Sequence, residues 1–328
     1  MPNLRIAELD FDTIKRNLKT FLKSQTEFTD YNFEGSALSV LLDVLAYNTH
    51  YNAYLANMLM NEMFLDSAVK RTSAVSIAKH IGYTTRSVLS ARAFLDITIN
   101  NPTNNPTSIV LPKYTTFQSN INDLSLNFLN IEPYVIYNVN GVYTIENVQV
   151  YEGQLIEYSY AVNSPGPAEK YTIPDENVDL TTLKVTVRSN NIDQVYTFFD
   201  NLSTVKFDSK VYYVEESPTG RYQIFFGDGI FGKKLLSNDL VILEYLISNG
   251  ELANTATNLS QQFVLIGTIQ GNTNVVVSTR SNSMGGTAKE SIDEIKFNAP
   301  YKYLAQNRAI TSDDYKALIL NNYPSVQS

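Results

Sequence analysis

Two spacings of apolar residues divide this chain. Near the start, Phe11, Ile14, Leu18, Phe21 and Leu22 recur at steps of three and four. That spacing predicts a helix from about residue 11 to 23 with one apolar stripe, and Asp10 or Asp12 is placed to cap its start. A second, longer helix is expected from Gly35-Ser36 to about Asp66. Its apolar positions include Leu38, Leu41, Leu42, Leu45, Tyr51, Leu55, Leu59 and Met63. These drift from one helical face to another, and the centre is polar and aromatic, with Asn48, Thr49, Asn52 and Asn57 among tyrosine and histidine rings. A helix apolar on several sides packs against more than one neighbour, either in a bundle within this chain or in an oligomer. A third helix is expected over residues 67–80, with Gly82 as its C-terminal cap.

From Ala93 the period changes to two. Strands are expected at 94–99, 109–111, 115–119, 142–151, 154–162, 183–188, 195–199, 211–215, 222–227, 240–247, 263–269 and 274–279. Tyr, Val, Ile and Thr dominate these runs, as suits half-buried pleated surfaces, and Gly141, Gly153, Gly166, Gly220 and Gly250 punctuate them. After Met284-Gly285-Gly286 the helical pattern returns: one helix over 289–298, ended by Pro300, and another opened by Thr311-Ser312-Asp313-Asp314. The fold class expected is therefore α+β and multidomain. It has an N-terminal helical bundle segment over 1–90 and a central all-β region of sandwich or barrel-like units over 91–287, divided into two sub-domains. Residues 288–328 read as the start of a C-terminal helical section. A domain rarely closes just after opening a new helical section, so the sequence reads as the N-terminal part of a longer protein, or one completed by a partner.

Composition narrows the chemistry. The 328 residues are 44% hydrophobic and 18% charged, which suits folded domains with cores of their own. Against 25 Lys and Arg stand 33 Asp and Glu, a formal charge of −8. No run of basic residues breaks that balance, so a non-specific nucleic-acid binder is not expected. There is no cysteine, which removes disulfides, thiolate catalysis and Cys-ligated zinc. The two histidines, His50 and His80, fall in expected helices without an H-x-x-x-H partner and are read as structural. The start, Met1-Pro2-Asn3-Leu4-Arg5, lacks the pattern of a signal peptide, and no apolar run approaches the roughly 20 residues of a membrane span. The chain reads as a soluble intracellular product or part of a particle assembled inside a cell, with no metal, cofactor or small-molecule substrate.

The strongest motif is Phe225-Phe226-Gly227-Asp228-Gly229-Ile230-Phe231-Gly232-Lys233-Lys234. Gly227, Gly229 and Gly232 spell G-x-G-x-x-G, the spacing of dinucleotide and kinase phosphate loops. A dinucleotide loop needs a helix after it, and here residues 240–245 read as a strand. A kinase loop needs a V-A-I-K lysine, an H-R-D loop and a D-F-G site, and none is present. A Walker loop needs Ser or Thr after the lysine, and Lys234 stands there. The expectation is instead a structural turn: Asp228-Gly229 as a two-residue hairpin turn between apolar strands, with Gly232 at a bend in the returning strand. Glu215-Glu216 and Asp228 are the remaining candidate carboxylates for hydrolysis, though paired acids in β proteins more often sit at solvated edges.

These residues also carry a family resemblance. Residues 222–234 resemble the FGDG hairpin of the baseplate J-like family, wedge subunits of contractile-tail baseplates and related injection machines. Asn249-Gly250-Glu251-Leu252-Ala253-Asn254 is similar to that family's G-x-x-x-N turn. Gly285-Gly286 with Glu290-Ser291-Ile292 is similar to its GG…ES…I linker, and Ala299-Pro300 followed by Asn307-Arg308-Ala309-Ile310-Thr311 and Asp314-Tyr315 to its AP…NRAIT..DY segment. Glu34-Gly35-Ser36 and residues 81–93 resemble the large T4-like subgroup, whose members continue past this point. Residues 120–210 match no motif. The resemblance implies a non-enzymatic structural subunit of the virion baseplate, assembled in the host cytoplasm. It further implies that two copies pair with each other and with other wedge proteins through N-terminal helices, and that the copies join into a ring around the hub. Phe11, Ile14, Leu18, Phe21, Leu38, Leu41, Leu45, Leu55, Leu59 and Met63 are then the expected assembly interface. Two other readings stay open: a carbohydrate-binding or adhesin-like β module rich in Tyr and Asn, and a hydrolase using the acidic pairs.

Overall fold

The computed structural model describes residues 10–25, 36–100, 105–121, 124–163, 165–166, 169–199, 205–255, 260–305 and 315. The chain forms two units: Met1–Tyr83 with Ile292–Pro300, and Thr84–Ser291 with Tyr301–Ser328.

The first unit is helical. Asp10 opens α1 (Phe11–Lys23) by accepting the Thr13 amide at 2.9 Å. Ser36 opens α2 (Ala37–Glu62), its hydroxyl accepting the Ser39 amide at 3.0 Å. Both caps satisfy amides that a helix start leaves unpaired. α2 stops at Glu62, short of the expected Asp66, because Glu62 folds over the next helix start. Its carboxylate accepts the Val69 amide at 3.0 Å and the Lys70 amide at 3.2 Å. That borrowed cap serves α3 (Arg71–His80), whose own Lys70 offers no side-chain cap, and it explains why α3 begins at Arg71 and not at residue 67. Burial alone would raise the Glu62 carboxyl, but hydrogen bonds from Ser73, Val69 and Lys70 outweigh it and hold it below the usual range.

α4 (Ile292–Ala305) corrects a second expectation, since it runs through Pro300 where the sequence predicts a stop. Ile295 and Ala299, both fully buried, pack with Val75, Ala78 and Tyr83 in the core of the helical unit. That anchorage lies immediately before the proline and offsets the hydrogen bond it cannot make. The expected helix at Thr311 and its Asp313-Asp314 start lie outside the described residues.

The second unit holds two antiparallel-dominated sheets. The first follows the order β14 (Val264–Ile266), β3 (Thr116–Ile121), β4 (Leu124–Leu129), β6 (Val142–Glu152), β1 (Arg92–Asn100), β15 (Val275–Met284). β5 (Tyr134–Val139) pairs with both β6 and β2 (Ser108–Leu111). β1 shows why the fold is legible: Ala93, Leu95, Ile97 and Ile99 alternate inward and are wholly buried. They pack with Phe117, Phe128 and Tyr143 into one core. The second sheet runs β7 (Gln154–Ala161), β13 (Leu240–Ile247), β9 (Val178–Ser189), β10 (Ile192–Phe198), β11 (Val211–Glu216), β12 (Tyr222–Phe226), β8 (Tyr171–Thr172). Among these, β10 and β11 pair in parallel. Val185, Val187, Ile224, Val241, Leu243 and Tyr245 lie in its core. β4, β5 and β8 are strands that the pattern reading left out.

At Gly153 the chain crosses from the first sheet to the second. A side chain there would come within 2.6 Å of the Ile247 carbonyl oxygen, and φ is +143°. Glu152 beside it is buried and accepts from the Ser248 hydroxyl at 2.7 Å, the Asn249 amide at 3.0 Å and the Asn249 side chain at 2.7 Å. A buried carboxylate tolerates this position because three donors replace its water.

Candidate functional site

α2 presents the feature that the rest of the fold does not account for. Its buried positions are small, polar or few: Ser39, Leu42, Ala46, Ala53 and Asn57. Their steps of three, four and seven mark one face, and α1 packs along this helix with Lys15 paired to Asp43 at 2.5 Å. Most of the remaining circumference is apolar and exposed. One stripe is Val40, Val44, Tyr47, Tyr51 and Tyr54; a second is Leu41, Leu45, Leu59 and Met63, about 100° further round the helix. Tyr51 is 53% exposed and Leu59 64%, values typical of polar surface residues and not of leucines on a helix of this length.

The residues expected to form an interface divide accordingly. Ile14 is buried, and Phe11, Leu18 and Leu38 are half-buried, so these four are already largely covered. Phe21, Leu41, Leu45, Leu55, Leu59 and Met63 are exposed. Of the stripe Val40, Val44, Tyr47, Tyr51 and Tyr54, only Tyr51 is among the apolar positions expected from the sequence. The stripe's spacing of four, three, four and three was visible, but the asparagines between drew attention to polarity instead.

The glycine-rich loop is not a hairpin. β12 pairs with β11 and β8, while β13 pairs with β7 and β9, so the strands flanking it never meet. Gly229 has φ +94°, but Asp228 is absent from the positive-φ residues, and a two-residue hairpin turn of the expected kind needs both. Asp228 instead folds its carboxylate over the Ile230 and Phe231 amides, each at 2.8 Å. The Phe231 and Ile230 amides, in that order, hold the Asp228 carboxyl below its usual range. Gly229 donates to the Gly232 carbonyl at 3.0 Å, Gly232 to Lys206 at 3.1 Å and Lys233 to Ser209 at 2.8 Å. Five successive amides from Gly229 to Lys233 are thus spent within the protein, where a phosphate loop would leave them free. Gly227 and Gly232 are glycines because their backbones cross: a side chain on Gly227 would lie 2.3 Å from Gly232.

The acidic candidates do not converge either. Glu215 and Glu216 are successive strand residues and so face opposite sides. Glu215 pairs with Lys170 at 2.5 Å and Glu216 with Lys289 at 3.0 Å. His80 contacts the Ser76 carbonyl through Nδ1 at 2.6 Å, within its own helix. Among the described residues no cluster of three or more His, Asp or Glu is placed to hold a metal ion, and no helix is long and apolar enough to cross a membrane.

The apolar helices are also where known proteins agree with this chain. Residues 10–83 match the helical domain of gp6-like baseplate wedge proteins. Over 337 aligned residues the chain is 27% identical to the baseplate wedge protein gp6 of Enterobacteria phage T4, covering 96% of this chain and 50% of that one. The chain thus spans about half the length of this relative. Among solved structures it aligns with a chain of the anti-feeding prophage baseplate, with a TM-score of 0.34, 12% identity and 98% of this chain against 66% of that chain. It also aligns with a chain of the type VI secretion TssK-TssF-TssG baseplate subcomplex, with a TM-score of 0.37, 9% identity and 84% against 79%.

Proposed function

We propose that this chain is a non-enzymatic structural subunit of a contractile-tail baseplate wedge, located in the virion baseplate and assembled in the host cytoplasm. It associates through its N-terminal helices with a second copy of itself and with other wedge proteins, and the assembled copies form a ring around the hub. The observation that carries this reading is the exposed apolar circumference of α2, in the segment that matches the wedge helical domain. Burying one such Leu or Tyr favours association by about 1.5–3 kcal/mol, whereas association itself costs about 4–15 kcal/mol. Several of these side chains must therefore be covered together, and two stripes about 100° apart call for partners on two sides. The similarity of residues 222–315 to the baseplate J-like family supports the same reading at the level of sequence motifs.

Size-exclusion chromatography with light scattering tests it, on the chain alone and co-expressed with its wedge partners. The expected result is a species larger than one chain that Leu45→Glu or Leu55→Glu weakens about a hundredfold or more, roughly 2.7 kcal/mol, with the β unit still folded by circular dichroism. Undiminished complexes in both variants would sink the proposal.

A further inference from the structure

The chain enters the β unit at Thr84 and leaves it at Ser291, and the two passages run side by side inside that unit. The motifs that carry the family resemblance meet on these passages, in two groups with different chemistry. Deeper in the unit, Leu89 and Thr287 exchange backbone hydrogen bonds at 3.1 and 3.2 Å. The Asn254 side chain grips Gly286 from both sides, accepting its amide and donating to its carbonyl, each at 2.8 Å. Ser90 donates to Asp179 at 2.8 Å. Gly286 lies so close to Gly250 that a side chain on it would be 2.2 Å from the Gly250 oxygen. These contacts are backbone contacts, neutral amide contacts and one hydrogen bond to a carboxylate, with glycines admitting the close approach.

Nearer the ends of the passages one ion pair, Glu216–Lys289, joins the hydrogen bonds. Glu216, its side chain 1% exposed, accepts the Thr85 hydroxyl at 2.5 Å and lies 3.0 Å from the Lys289 ammonium. Lys289 sits 4.7 Å from the Tyr222 ring centre and also donates to the Gly220 carbonyl. Tyr222 in turn donates to the Thr85 carbonyl at 3.3 Å. Arg86 and Glu290 close the pair: the Arg86 amide donates to the Glu290 carboxylate at 2.9 Å, and the Glu290 amide to the Arg86 carbonyl at 3.2 Å.

We propose that the two passages form a two-stage clamp, an inner stage at Leu89–Thr287 and Gly286 that stays shut, and an outer stage at Thr85, Arg86, Lys289 and Glu290 that opens on its own with Glu216–Lys289 as its release point. Glu216 is buried while Lys289 is partly exposed, so separating the pair leaves the carboxylate buried without its cation, which is strongly destabilising. The inner stage rests on backbone and neutral amide contacts, and its one buried carboxylate, Asp179, is satisfied by the Ser90 and Thr181 amides and not by a side-chain cation. Opening of the outer stage lengthens each passage by about four residues, a reach on the order of 14 Å when extended, while both sheets stay folded. The clamp follows from the β unit alone and stands whether or not the chain belongs to a baseplate.

Native-state hydrogen exchange on the full chain reads the two stages separately. In the unaltered protein the Arg86 and Glu290 amides are expected to exchange through openings about a hundredfold more frequent than those exposing Leu89, Ser90, Gly286 and Thr287, as a local opening does against a larger one. Lys289→Met should raise exchange at Arg86 and Glu290 about tenfold or more and leave the inner amides unchanged; Glu216→Gln should do the same. Equal exchange at both stages in the unaltered chain overturns the proposal, as does a substitution that moves both stages together or neither. If a variant fails to fold, the gradient in the unaltered protein decides alone.

Discussion

The two units solve opposite problems with their apolar residues. In the β unit the large side chains go inward: Leu95, Ile97, Phe117, Tyr143, Tyr222 and Tyr245 are all buried to within 1%. Its buried carboxylates also find donors, as Glu152 does with Ser248 and Asn249, and Asp179 with Ser90 and Thr181. In the helical unit α2 buries Leu42 with small and polar residues, and turns most of its other large apolar side chains outward. A sheet core is closed by its own chain, whereas a helix that keeps Leu and Tyr on the outside has a core still to be completed. Under the proposed function, the difference separates what the chain needs for folding from what it offers for assembly.

Substitutions should therefore sort by unit, and the largest effect belongs to the closed core. Leu243→Ala, at a fully buried position, is expected to cost about 2–5 kcal/mol, seen as a lower denaturant midpoint, with assembly of the folded fraction unchanged. If assembly falls in proportion to stability, the separation is wrong. Next comes Tyr51→Glu, which strikes only the first stripe of α2. It should weaken one contact about a hundredfold, roughly 2.7 kcal/mol, and leave an intermediate species by light scattering distinct from that of Leu45→Glu, which lies in the second stripe. The same species from both variants would merge the stripes into one interface. Glu62→Gln weakens the borrowed cap of α3 and should cost about 1 kcal/mol, visible as faster exchange at Val69 and Lys70 with the sheets untouched.

The smallest effect is a pH dependence at the glycine loop. Asp228 has a depressed folded pKa, so its contribution is complete above the unfolded carboxyl value of about 3.9 and fades as pH falls through the lower folded value. The Ile230 and Phe231 amide resonances should shift below that pH. Asp228→Asn, which keeps an acceptor but no charge, should abolish the shift, and a shift that persists would assign it to another group.

Much of this arrangement was legible in the residues. Asp10 and Ser36 announced their helices, and the inward alternation of β1 announced its strand. The misses have particular causes. β5 was overlooked because its outward face carries Val135, Tyr137 and Val139, all exposed, while Ile136 alone among its neighbours is buried, so its apolar pattern is inverted. The end of α2 depends on hydrogen bonds that Glu62 accepts from the amides seven and eight positions on, which no local spacing encodes. The Asp228-Gly229 turn was misread because its context resembled a hairpin, while Asn140-Gly141, with φ of +53° and +83°, makes the tight turn between β5 and β6. Likewise the roles of Gly250 and Gly286 appear only once the fold sets two distant backbones in contact.

The junction between the sheets also contains an asparagine–glycine step. Asn249 is followed by Gly250, the neighbour that most favours loss of ammonia from an asparagine side chain. Its amide group lies 2.7 Å from the Glu152 carboxylate, which is 1% exposed. Deamidation would exchange the donor for a second carboxylate at that distance, and one of the two acids would have to take up a proton to remain buried. At the contact that joins the sheets, such ageing would be felt as a loss of rigidity.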